Sequence, residues 1–166
     1  IRDPNPVIFL ENEILYNDKS ASSKINNQLI PIGEAKVLIE GSDVTLVSYG
    51  IGIKHSLNAI ELAKDIDISV ELIDLRSIRP IDYNTVFESI KKTNRCITVE
   101  ECFPICSIGN HLSASIMESI FDYLDSPIIN CTGKDVPMPY AKNLEKAALL
   151  DPEEIFDSIK KVVYRD

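Results

Sequence analysis

No hydrophobic run in the sequence approaches the roughly 20 residues that a helix needs to cross a bilayer, which excludes a helical membrane span. Basic charge is also scarce: 17 Lys plus Arg stand against 26 Asp plus Glu, a formal net charge of −9. Nucleic-acid backbones are gripped by a concentrated basic face, so a nucleic-acid partner is excluded. Histidine is limited to His55 and His111, and neither has a nearby Ser or Cys with an orienting carboxylate. A triad whose members meet only in space stays open, beside the plainer reading of polar histidines at helix starts. Among Cys96, Cys102, Cys106 and Cys131 there is no C-x-x-C pair. A zinc site from Cys102, Cys106 and His111 would need unfamiliar spacing, so we read free, mostly buried thiols of a reducing compartment. We find no secretory leader, and a chain that begins at Ile1 rather than Met reads as one whose native start lies upstream.

With 45% hydrophobic residues, 166 residues suffice for one buried core and a small appendage. Pro6 to Leu10 reads as a short buried strand, and the polar, aperiodic stretch from Tyr16 to Gln28 as a linker. After Leu29 the pattern is that of one unit. Ala35, Val37 and Ile39 alternate with Lys36, Leu38 and Glu40, and Gly41-Ser42-Asp43 then turns into Val44 to Ser48, which predicts a hairpin. Ile53, Leu57, Ile60 and Ala63 mark a helical face, Ile68 to Leu75 a strand, and Asp82 caps a helix carrying Val86, Phe87 and Ile90. Cys96 to Val99 is a strand. Leu112, Ile116, Ile120 and Leu124, with Met117 and Phe121 beside them, form a helical stripe, and Ile128 to Cys131 is a last strand. Asp151 as N-cap, Pro152 at the first helical position and Ile155, Ile159, Val162 and Val163 at helical spacing give the final helix. The fold class is therefore α/β: three layers around a mostly parallel sheet with an antiparallel edge.

Three motifs bear on chemistry. Tyr49-Gly50-Ile51-Gly52 lies where a dinucleotide fingerprint would, but its third glycine is replaced by His55, so a tight strand-to-helix turn is the better reading. Glu100 and Glu101 end a strand and could serve acid–base work. Neighbours on a strand face opposite ways, however, and we read them as independent, solvent-facing charges. Thr132 to Ala141 (T-G-K-D-V-P-M-P-Y-A) has prolines either side of Met138, which predicts an extended, exposed contact loop.

Several segments in combination resemble the beta subunit of pyruvate dehydrogenase: I-R-D-P-N-P-V-I-F-L-E-N-E at Ile1 to Glu13, P-I-G-E-A-K at Pro31 to Lys36, and L-R-S-I-R-P-I-D at Leu75 to Asp82. K-T-N-R at Lys92 to Arg95, V-E-E at Val99 to Glu101, and T-G-K-D-V-P-M-P-Y-A-K at Thr132 to Lys142 join them. The resemblance implies the C-terminal half of that subunit, with residues 1–28 as the end of a pyrimidine-binding domain plus linker and 29–166 as a transketolase-type C-terminal domain. It implies an enzyme that decarboxylates pyruvate on thiamin diphosphate with Mg²⁺ and acetylates a lipoyl group. The resemblance also implies that neither a catalytic nor a cofactor-binding residue falls in this stretch, which alone would be inactive and hold no cofactor.

What carries over residue by residue is binding. A structural potassium ion would be held near Ile1, Asp3 and Asn5 in the intact subunit, oxygen donors suiting a hard cation. Asp125 and the terminal Asp166 would meet the basic subunit-binding domain of the dihydrolipoamide acetyltransferase. The other implied partners are the alpha subunit and a second beta subunit, in a bacterial cytoplasm, a mitochondrial matrix or a plastid. Two other readings stand beside this one: the corresponding domain of a branched-chain 2-oxoacid dehydrogenase or transketolase-like synthase, and a non-catalytic binding module.

Overall fold

A computed structural model describes residues 3–18 and 29–165. In chain order the regular elements are β1 (Lys36–Ile39), β2 (Val44–Ser48), α1 (Ile51–Lys64), β3 (Val70–Asp74), α2 (Tyr83–Thr93), β4 (Cys96–Val99), α3 (Ile108–Ile120), β5 (Ile129–Cys131), α4 (Lys142–Ala148) and α5 (Pro152–Val162). The strands form one sheet in the order β1-β3-β2-β4-β5. All neighbours are parallel except β1, which runs antiparallel to β3 at the edge.

Side chains alternate across a strand, so each central strand feeds two cores. Leu46, Leu72 and Ile97 point to one face, where α1 brings Ala59, Ile60 and Ala63 and α5 brings Ile155, Ile159 and Val162. Val47, Ile73 and Cys96 point to the other, against Val86 and Ile90 of α2 and Leu112 and Ile116 of α3. The expected three-layer architecture is the one observed. Helix ends follow local chemistry: Asp82 accepts from Thr85 N (3.1 Å), Asp151 from Glu153 N (2.9 Å), and α2 stops at Asn94 in the left-handed region (φ +60°).

Four expectations need correction. The predicted hairpin does not exist, because β3 lies between β1 and β2. Instead of folding β1 back, the Gly41-Ser42-Asp43 turn is clamped onto the start of β3. Ser42 N and Asp43 N both donate to Ser69 O (3.2 and 2.8 Å), and a Cβ on Gly41 would sit 2.2 Å from Val70 C. Pro6 to Leu10 is not a strand: no described strand lies alongside to complete a ladder, and Ile8 (86%), Phe9 (80%) and Leu10 (88%) are exposed. Of the expected α1 face, Ile60 and Ala63 are buried and Ile53 packs against the core, but Leu57 turns outward, and the small residues Ser56 and Ala59 are buried against the sheet in its place. The α3 stripe ends earlier than expected, at Ile120 rather than Leu124: Leu112, Ile116 and Ile120 are buried, whereas Met117, and Phe121 just beyond the helix, face solvent.

Candidate functional site

From β2 the chain crosses to β3 on one side, through α1 on one face of the sheet. From β4 it crosses to β5 on the other side, through α3 on the opposite face. The crevice outside the carboxyl ends of β2 and β4 is thus the topological switch point, where open α/β sheets present ligands. One wall is the strand-to-helix turn expected at Tyr49 to Gly52. Gly50 takes φ +56°, and a Cβ on Gly52 would lie 2.5 Å from Ser48 Oγ and 3.0 Å from Val99 O, so α1 begins hard against β4.

The other wall holds Glu100. It is 1% exposed, contrary to the solvent-facing role expected from sequence. Gly109 N donates to its Oε1 (2.7 Å), while Ile108 N (3.1 Å) and the Tyr49 hydroxyl (2.8 Å) donate to Oε2. Ser107 completes the helix start by accepting from Asn110 N (3.1 Å). A Cβ on Gly109 would fall 2.0 Å from Asn130 Oδ1 and 2.3 Å from Thr98 Oγ1, so glycine is required for this approach.

A helix N-terminus favours an anion, and here the chain fills that position with its own carboxylate. The crevice is therefore closed to a phosphate at α3. Burial, reinforced by Glu100, raises the Tyr49 hydroxyl above its ordinary range. Burial and then Glu100 push the neighbouring Cys102 thiol up to about 12, which keeps it protonated and unsuited to nucleophilic work. Of the two glutamates only Glu101 faces outward, its Oε2 accepting from Asn12 Nδ2 (3.2 Å). Sequence reasoning missed the burial of Glu100 and its partner Tyr49. The available signal was a strand-end carboxylate followed shortly by the Ser-Ile-Gly start of a helix.

Two of the resemblance motifs meet each other. Gly33 N donates to Ser77 Oγ (3.0 Å) and Ala35 N to Asp82 Oδ2 (3.0 Å), tying P-I-G-E-A-K to L-R-S-I-R-P-I-D. Burial works against the Asp82 carboxylate, but the bonds from Thr85 and Ala35 outweigh it and hold its pKa below the usual value. Within β3, the buried Glu71 accepts from Lys92, from Ser89 Oγ (2.5 Å) and from Gly41 N (3.2 Å), and Thr45 joins Ser89 and Thr93 at 2.7 Å each. These contacts fasten the fold and face no crevice.

At the opposite, amino-end rim of the sheet, Asp125 is exposed. Its N–H donates to Asn94 O (2.8 Å), its carbonyl accepts from the Tyr164 hydroxyl (2.8 Å), and its Oδ2 lies 3.4 Å from Arg95. It borders an open groove of about 560 Å³ lined by Met117, Phe121, Leu124, Pro127 and Ile128. Asp166, expected beside it, lies outside the described residues, as does Ile1. Asp3 and Asn5 are brought together on one turn, where Asp3 Oδ1 accepts from Asn5 N (2.8 Å) and Nδ2 (3.0 Å). These bonds lower the Asp3 carboxyl below its ordinary pKa. His111 Nε2 is 2.5 Å from the Tyr83 hydroxyl rather than beside a nucleophile. The four cysteines are free, with Cys96 and Cys131 buried as expected, and no described group of three His, Cys, Asp or Glu could hold a metal. The Thr132 to Ala141 segment is the expected open loop, with Met138 and Tyr140 exposed. No described helix is long and apolar enough to cross a membrane.

Comparison with known proteins places this geometry. Residues 33–155 match the family described as transketolase, C-terminal domain. The chain is 52% identical over 165 residues to the pyruvate dehydrogenase E1 component subunit beta of Rhizobium meliloti, covering 99% of this chain and 36% of that protein. It is 47% identical over 169 residues to the mitochondrial counterpart of Dictyostelium discoideum, covering 100% of this chain and 48% of the relative. Among solved structures, a split-gene transketolase described as an inactive beta4 tetramer superposes with a TM-score of 0.72 at 25% identity, covering 83% of this chain and 44% of that one. The chain thus spans half the length or less of the curated relatives it matches. The matched region holds every strand of the sheet and both crevice walls, and the chain belongs to the transketolase C-terminal domain family.

Proposed function

We propose that this chain is the transketolase-type C-terminal part of a pyruvate dehydrogenase beta subunit, with residues 1–28 belonging to a preceding pyrimidine-binding domain and its linker. The observation that carries this is identity of 45–52% over 99–100% of the chain to subunits of that one name from bacteria and mitochondria. The whole enzyme would decarboxylate pyruvate on thiamin diphosphate with Mg²⁺ and acetylate the lipoyl group of the acetyltransferase. This part would serve assembly with the alpha subunit and a second beta subunit. The closed crevice fits that division of labour: its helix start is occupied by Glu100, its cysteine is held protonated, and neither is free for chemistry.

Two binding roles complete the proposal. Asp125, with Asp166 at the chain's end, receives a small basic subunit-binding domain of the acetyltransferase. The net charge of −9 would speed that encounter at low salt. Asp3 and Asn5 supply oxygen donors of the class a potassium ion takes. Asp3 Oδ1 is already committed to Asn5, which leaves Oδ2 and the Asn5 carbonyl oxygens for the ion; Ile1 would add its backbone carbonyl.

The test is substrate choice by the assembled alpha–beta enzyme carrying this sequence, followed by reduction of an artificial electron acceptor. Pyruvate should be preferred over branched 2-oxoacids. A preference for 3-methyl-2-oxobutanoate would move the chain to the branched-chain enzyme, and absence of 2-oxoacid turnover would overturn the reading.

A further inference from the structure

Asp125 does not wait for a partner with a free charge. Among the described residues, Arg95 is the one cation within ion-pair reach of it, at 3.4 Å from Nη2 to Oδ2. The two side chains differ in their settings, with 24% of Arg95 and 57% of Asp125 exposed. Arg95 reaches Asp125 from the start of β4 along the amino edge of the sheet, where its Nη1 also donates to Asp43 O (3.3 Å). Its Nε is buried with no partner among the described residues.

Such a pair could position the carboxylate or compete for it, and the backbone decides between them. Asp125 is held through its N–H by Asn94 O and through its carbonyl by Tyr164, neither of which involves Arg95. Both bonds that hold the Asp125 main chain are made without the guanidinium. Arg95 therefore contributes charge rather than position, and with Asp43 O as a second acceptor it can release Asp125 without losing all its bonds.

We infer that Arg95 is a built-in counterion that competes with an incoming basic partner for Asp125 and so sets docking affinity. This rests on the docking role proposed for Asp125. The carboxylate must exchange one cation for another on docking, and the displaced Arg95 then stands as a like charge beside the partner's Lys or Arg. Removing Arg95 frees the acceptor and lifts that repulsion. Because the Asp125 carboxylate faces solvent, these effects are small and screened, so the gain is about threefold to tenfold at low salt. It should shrink as ionic strength rises and the Debye length falls to roughly 8 Å.

The experiment is calorimetric titration of the assembled alpha–beta enzyme with the isolated subunit-binding domain of the acetyltransferase, at low and at high salt. Arg95→Gln should bind more tightly than the unaltered enzyme at low salt, with the advantage largely lost at high salt, while Asp125→Asn should bind more weakly. Thermal melts of each variant in the absence of partner establish that the fold is kept, and Arg95→Met, which retains the apolar stem, replaces any glutamine variant that fails to fold. If Asp125→Asn weakens binding but loss of Arg95 leaves it unchanged or weakens it, the counterion role is overturned and the docking role stands. If Asp125→Asn leaves binding unchanged, both fall.

Discussion

Replacing Glu100 tests whether the switch-point crevice is closed by an internal anion. In Glu100→Ala, the amides of Ile108 and Gly109 and the Tyr49 hydroxyl lose their acceptor together in a site only 1% exposed. An orphaned buried donor costs about 1–3 kcal/mol, and the lost charge at the helix start adds about 0.3–1 kcal/mol. Water entering the vacated volume would recover some of this, which leaves about 4 kcal/mol. For a domain of this size that is about 8–16 °C in Tm.

Glu100→Gln separates shape from charge. Its amide oxygen can keep the Gly109 bond, and the Tyr49 hydroxyl can rotate to accept from the amide nitrogen. Ile108 N–H then faces another donor, so one orphan and the lost charge cost about 2–3 kcal/mol. Tyr49→Phe removes one donor and leaves both amides bonded to the carboxylate, for about 1 kcal/mol. Urea denaturation followed by far-UV circular dichroism should give the order Ala, Gln, Phe from most to least destabilised. A Glu100→Gln variant within about 0.5 kcal/mol of the parent, the range of an ordinary surface change, would refute the closure.

Two further outcomes follow from buried groups. Glu71 loses to burial but gains more from Lys92, Ser89 and Gly41, so its folded pKa lies below the unfolded value of 4.5. A depressed carboxyl stabilises above the unfolded value and loses that contribution as pH falls through the folded one. The stability gap between the parent and Glu71→Gln, measured by denaturant titration, should therefore be full at pH 7 and narrow steadily below about pH 4.5; a constant gap would exclude the linkage. Cys96 and Cys102 have thiols pushed up to about 12 and Cys131 is buried and raised, whereas Cys106 is exposed. Iodoacetamide at pH 8, read by peptide mass spectrometry, should label Cys106 in the native protein and the other three only after unfolding.

What could be read from sequence was what the chain settles within a few residues. Asp151 and Pro152 announce α5 because cap and first turn are neighbours, and the Leu112-Ile116-Ile120 stripe gives α3 because its spacing is that of the helix itself. Cys96 to Val99 reads correctly as a strand because an apolar run that short, flanked by polar residues, suits a strand buried on both faces. By contrast α4 was invisible, since Ala148 is its only buried residue and it carries no stripe. Pro6 to Leu10 misled for a related reason: apolarity records that a segment needs cover, not that the cover is a ladder within reach.

The pairing of β1 fails from sequence on the same ground as the role of Glu100, because both partners arrive by a crossover. Val37 meets Ile73 only after α1 has carried the chain across the sheet, so no property of the intervening turn selects β3 over β2. Glu100 and Glu101 make the sharper case, being adjacent, chemically identical and both at a strand end. Their fates diverge because the loop from Cys102 to Cys106 returns the chain so that the first amides of α3 fall on Glu100, while Glu101 points away to Asn12. Gly109 is the residue that allows this, since any side chain there would collide with Thr98, Glu100 and Asn130. In this chain, then, a strand-end acid becomes a buried structural group because the next helix opens with a small residue close enough to be capped by it. That condition can be sought in other α/β sequences before their fold is known.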